Sequence, residues 1–136
     1  MVYAVIDTNV MVSALLARNA NSATVKIVEC MAQGKITPLY HEEILTEYEE
    51  VLSREKFHID VSVRKALLEY IRKNGVATER AEYEGELIDP DDRVFYEVAL
   101  SDEDSFLVTG NLKHFPHDVR VVTPAQMLLI LEEQEV

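Results

Sequence analysis

The chain is poor in cysteine and has no long apolar run. Cys30 is the one cysteine among 136 residues, so no disulfide can form within the chain and no cage of thiolates can hold a metal. It shares a helical stripe with Ala23, Ile27 and Met31, which reads as a packed thiol rather than a reactive one. No stretch of apolar residues approaches the roughly 20 that span a bilayer, and the N-terminus lacks the basic segment and cleavage pattern of a secretory signal. The expected location is therefore the cytoplasm. Positive charge is scarce as well: 13 Lys and Arg stand against 25 Asp and Glu, a formal charge of −12. Such a chain does not coat nucleic acid through its overall field. Repeats, low-complexity tracts and interdomain linkers are missing too.

What is present is ordinary globular composition, 48% apolar and 28% charged, over a length that suits one hydrophobic core. Residues 1–136 are therefore expected to form a single domain. The acidity is uneven. Residues 1–78 hold nine basic and ten acidic groups, whereas residues 79–104 hold two basic and eleven acidic and so contribute −9 of the −12.

Val2 to Ile6 is a short apolar run with polar residues beyond it, which predicts a buried strand ending at Asp7. Helical spacing from Ser22 to Gln33 stops at Gly34, and a second strand follows at Ile36 to Leu39. "HEEILTEYEEVL" aligns Ile44, Leu45, Tyr48, Val51 and Leu52 on one stripe, and Val61 to Asn74 repeats the pattern before Gly75. "DPDDRVFYEVAL" predicts a helix capped by Asp89, with Pro90 in its first turn and its end near Ser101. "SFLVTGN" and "VRVVTP" read as strands, and Pro124 opens a terminal helix to about Glu133. Strands alternating with helices predict a three-layer α/β/α sandwich around a mostly parallel sheet, with right-handed crossovers. Ligands of such sheets bind beyond the C-terminal strand ends, where both Asp7 and "TGN" fall.

An Asp after a buried strand is also good N-cap chemistry, and position alone leaves the two readings level. Three further polar sites reach the same rim: the acidic helix around Glu47, the helix start at Asp91 and Asp92, and Asn111. Two free carboxylates about 4 Å apart repel by roughly 4 kcal/mol at an effective dielectric near 20, so a cluster calls for a cation or a proton. An all-oxygen donor set favours Mg²⁺ or Mn²⁺ over zinc. Periodicity does not choose between Glu47 and Glu49, each roughly 100° from the centre of the apolar stripe. Asp91 and Asp92 equally suit a helix N-terminus.

"VIDTNVMVSALL", "EEILTEYEEVL", "DPDDRVFYEVAL" and "FLVTGN" occur in the order and approximate spacing of PIN-domain ribonucleases, which the chain resembles over nearly its whole length. It looks most similar to the VapC-like toxin components of toxin–antitoxin pairs. The resemblance implies a PIN-like fold and metal-dependent cleavage of single-stranded RNA. It matches Asp7, Glu47 and Asp92 to the family's acids and to metal binding, with Asp7 and Asp92 as direct ligands. Asn111 falls where many members carry a fourth Asp, as a neutral oxygen ligand or a substrate contact. Thr8, Asn9 and Thr109 match polar residues that shape such pockets, and Ser13 is placed along the same edge; each is equally a turn or capping residue. Asp91 and Arg18 are secondary candidates. A cognate antitoxin and a homodimer or higher oligomer are further implications.

Other polar residues read as surface. His114 and His117 in "HFPH" lack the helical Glu that would support a metal motif. Glu97 and Asp102 to Asp104 could extend the negative rim but read rather as a solvated loop. The basic set Arg54, Lys56, Arg64, Lys65, Arg72 and Lys73 reads as solvated helix faces that could meet phosphates. A phosphoacceptor receiver domain would need paired acids after its first strand, and a haloacid-dehalogenase phosphatase an Asp where Asn9 stands. The remaining rival is a PIN-like binding module without hydrolysis, for which Asn111 speaks.

Overall fold

The computed structural model describes residues 1–134. Five strands, β1 (Val2–Ile6), β2 (Ile36–Tyr40), β3 (Val76–Ala77), β4 (Phe106–Val108) and β5 (Val121–Val122), form one sheet in the order β3-β2-β1-β4-β5. Every pairing is parallel. Six helices complete the α/β/α sandwich: α1 (Thr8–Leu16), α2 (Ala23–Ala32), α3 (Glu42–Leu52), α4 (Val61–Asn74), α5 (Arg93–Leu100) and α6 (Pro124–Gln134). Among the described residues no helix is long and apolar enough to cross a membrane.

The central strands β1 and β4 bury almost every side chain, as expected of parallel strands covered on both faces. α5 packs on β1 and β4, α4 on β2, and α2 on both β2 and α6. Their contacts enclose Ile6, Met11, Ile27, Tyr48, Phe95, Leu107 and Met127, all fully buried. Cys30 packs against the edge of this core.

Local chemistry sets the ends of the elements. The Ser22 hydroxyl caps α2, and Gly34, at φ +78°, closes it in the left-handed region that favours glycine. At Gly75 the chain turns from α4 into β3 so tightly that a Cβ would lie 2.6 Å from the Ile71 and Pro38 carbonyl oxygens. The Asp89 carboxylate accepts from the Asp91 amide, 3.0 Å, as the sequence predicts. The helix it opens is not continuous, however. Pro90–Asp92 forms a 3₁₀ turn and regular α-helix begins at Arg93, a common tightening of a helix N-terminus.

Residues 78–89 join β3 to that turn without regular structure, yet they are pinned. Glu97 of α5, 6% exposed, accepts from Arg80 Nε at 2.7 Å and from the Tyr83 amide at 2.9 Å. Arg80 also pairs with Glu43 of α3, and Arg93 donates to the Tyr83 and Gly85 carbonyls. Tyr83 meets Tyr96 edge to face at 4.9 Å. Glu97 is therefore a buried anchor within α5 and not part of a solvated loop. Burial alone would raise its carboxyl, but the Tyr83 amide and the Arg80 guanidinium prevail and hold it below the usual carboxylate value.

Candidate active site

The sheet register builds the first part of the site. Ile6 and Val108 are partners on adjacent parallel strands, so the residues after them, Asp7 and Thr109, leave the sheet side by side. Thr109 Oγ1 donates to Asp7 Oδ2 at 2.7 Å, and the Asp7 amide donates to the Val108 carbonyl at 2.9 Å. β1 lies between β2 and β4, where the direction of the crossovers reverses and open α/β sheets form a crevice.

Asp7 occupies the N-cap position of α1, but its side chain makes no capping hydrogen bond. Burial, at 4% exposure, raises its carboxyl above the ordinary value. Thr109 and the nearby Thr8 and Asn9 amides oppose that shift without cancelling it.

α3 brings the second acid. Glu47 is half-buried and accepts a hydrogen bond from the Thr8 hydroxyl, next to Asp7 in the chain, whereas Glu49 is exposed. Tyr48, the following residue, donates its buried phenol to the Ile6 carbonyl, so two consecutive α3 side chains bind the junction of β1 and α1. Burial and the charges of Asp7, Asp91 and Asp92 push the Glu47 carboxyl up.

The turn before α5 brings the third. Asp92 is partly buried and Asp91 exposed. Burial, then repulsion from Asp7 and Asp89, raises the Asp92 carboxyl to about 6. His114 Nδ1 lies 3.2 Å from Asp92 Oδ2, a contact across the rim that the sequence reading missed. Spacing gives no sign of it, because the two residues are 22 apart and meet only through the turn after β4. Its neighbour His117 is exposed.

Asn111 stands on that turn, half-buried, its amide donating to Thr109 Oγ1 at 3.0 Å. Asn9 is exposed. Ser13 contacts Thr24 of α2 at 3.1 Å, and Arg18 lies exposed between α1 and α2. Asp7, Glu47 and Asp92 are thus brought together, with Thr8, Thr109 and Asn111 around them, while among the described residues Ser13 and Arg18 make no hydrogen bond or ion pair with these acids.

In donor chemistry the site fits a hard divalent cation. Burial raises all three carboxylates, the Asp7 charge adds to the rise at Glu47 and Asp92, and among the described residues no lysine or arginine pairs with them. Each acid is nonetheless turned to its own hydroxyl or imidazole. No three His, Cys, Asp or Glu side chains among the described residues converge to metal-binding geometry, so coordination requires rotation of the carboxylates.

The PIN-domain family model matches residues 3–113, from β1 through the turn that follows β4. The chain is a PIN domain. Comparisons with curated proteins and with solved structures gave no match in either case. PIN domains are typically nucleases that act on RNA and generally use divalent metal ions, which gives this one a nuclease-type function.

The raised acids set a pH dependence for the metal-free PIN domain. A carboxyl whose folded pKa exceeds its unfolded one favours folding below the unfolded value, and that contribution is lost as pH rises through the folded value. Asp7, Glu47 and Asp92 belong to this class. Glu97 and Asp118, held below the ordinary value, act oppositely and lose their contribution in stronger acid. In chelator, the thermal midpoint should therefore rise as pH falls from 7.5 to about 5, then drop below about 4. Asp92→Asn should flatten the rise. A wild-type midpoint that instead climbs steadily from pH 5 to 7.5 contradicts the electrostatics described.

Proposed function

We propose that this PIN domain is a Mg²⁺- or Mn²⁺-dependent endoribonuclease that hydrolyses phosphodiesters in single-stranded RNA, as the toxin of a toxin–antitoxin pair. The supporting observation is the group of three acids, from the end of β1, the middle of α3 and the turn before α5, each raised by burial and, among the described residues, paired with no lysine or arginine. Such unbalanced charge in a half-buried crevice is costly unless a cation offsets it.

In this reading Asp7 and Asp92 would hold the ion after their carboxylates rotate from their present partners. A divalent ion there supplies charge opposite the phosphate oxygens and makes water more acidic. Glu47 orients the attacking water and accepts its proton, a role its raised pKa favours. The Asn111 amide contacts the phosphate or contributes a neutral oxygen. Water adds to phosphorus as the bond to O3′ breaks, and the proton ends on the departing oxygen, leaving 3′-hydroxyl and 5′-phosphate ends.

Two measurements test this. Unstructured RNA should be cut with Mn²⁺ or Mg²⁺ and left intact in chelator. At constant ionic strength, ion at a hundred times its Kd should add about 2.7 kcal/mol of stability, a midpoint rise of roughly 10 °C. The Asp7→Asn/Asp92→Asn pair should lose most of that rise. If the wild type binds RNA but cleaves none across varied sequences and ions, the non-hydrolytic binding module replaces the nuclease, and Asn111 in place of a fourth acid is the feature that favours it. The toxin role predicts growth arrest on expression, relieved by a small protein partner from the neighbouring gene.

A further inference from the structure

A cavity of about 290 Å³ opens beside the acids, between α3 and the turn that begins α5. Val51, Pro90 and Val94 give it apolar wall, and Glu47 and Asp91 join it to the site. Its size is at the lower end of small-ligand sites, suited to one nucleotide and not to a duplex. Three arginines line it, and two are already committed. Arg80 is held by Glu43 and Glu97, and Arg93 by the Tyr83 and Gly85 carbonyls. Arg54 has no side-chain hydrogen bond or ion pair among the described residues.

Among the described residues no other basic side chain lines this cavity. Arg72 is bound to Glu42, and Lys56 lies over the Phe57 ring. Arg54 lies beyond the end of α3, past its Ser53 C-cap, on extended backbone, and lines the same cavity as Glu47. A guanidinium on the wall of that cavity supplies a cation for a phosphate adjoining the one at the acids. In a chain this acidic, one uncommitted cation beside the site has a large effect on where a strand can lie.

We infer that this cavity seats the nucleotide adjoining the scissile phosphate, and that Arg54 binds the next phosphate along the strand. The inference rests on the ribonuclease reading. Arg54 is a binding residue for the polyanion, and Val51, Pro90 and Val94 supply the surface on which the intervening nucleoside packs.

The test uses the full chain and a fluorescent single-stranded RNA. In the Asp7→Asn background, Arg54→Ala should weaken binding about tenfold and reduce the salt slope by roughly 0.7, the share of one phosphate on a single strand. Arg54→Lys should restore most of both. In the cleaving enzyme Arg54→Ala should raise KM and leave kcat nearly unchanged, with the thermal midpoint unmoved. Equal affinity and equal salt slope with and without Arg54 overturn the inference. So does a lowered midpoint with an unchanged slope, which would make Arg54 only a partner of the α3 C-terminus. If the wild type cleaves nothing, the nuclease reading falls, while the binding measurements still decide the role of Arg54.

Discussion

Asp7→Asn is expected to lower RNA cleavage by about a thousandfold or more while the protein stays folded. The substitution keeps the side-chain volume and retains an oxygen to accept from Thr109 Oγ1. It removes the charge that a cation and a phosphate must meet. Electrostatic help from a metal amounts to several kcal/mol, and each 1.36 kcal/mol is a factor of ten in rate. Stability should hold or improve, because a carboxylate raised by burial opposes folding at neutral pH. Single-turnover cleavage and a chelator-treated melting curve measure the two effects separately. Equal cleavage by wild type and variant would trace the activity to a contaminant.

Glu97→Ala should cost about 3 kcal/mol and lower the thermal midpoint by roughly 10 °C. Loss of the carboxylate leaves Arg80 with Glu43 alone and strips the Tyr83 amide of its acceptor. Both groups lie in the segment that leads to Asp91 and Asp92, so cleavage should fall with stability. Glu97→Gln, which keeps an acceptor, should lose about half as much. A midpoint within 2 °C of wild type for the alanine variant would mean that the segment is held without this anchor.

Much of this fold is legible in the residues. Val2–Ile6 and Phe106–Val108 are apolar runs bounded by polar residues, and α3 and α4 carry stripes that locate their buried faces. Harder to read is α1, whose "VMVSALL" has no polar face to mark the 3.6-residue period, and the sequence reading gives it no bounds. β3 has two residues, both exposed, and carries no pattern at all. Of the candidate site, the place of Asp7 follows from one strand end. The ties between Glu47 and Glu49 and between Asp91 and Asp92 do not resolve locally, because burial depends on Thr8 and His114 from distant segments. Glu97 was readable in principle. It lies among Val94, Phe95, Val98 and Ala99 on the inner face of α5, and Arg80 and Arg93 are the two bases of an otherwise acidic stretch.

The paired grip of Glu47 and Tyr48 on the junction of β1 and α1 has a mechanical consequence. α3 cannot screw about its own axis or slide along it without tearing a buried bond at Ile6 as well as the one at Thr8. Any adjustment to an arriving ion is therefore left to carboxylate torsions, each a local swing away from its present partner. The backbone around the acids should look alike with and without the ion, and the difference between the two states should reside in a few χ angles.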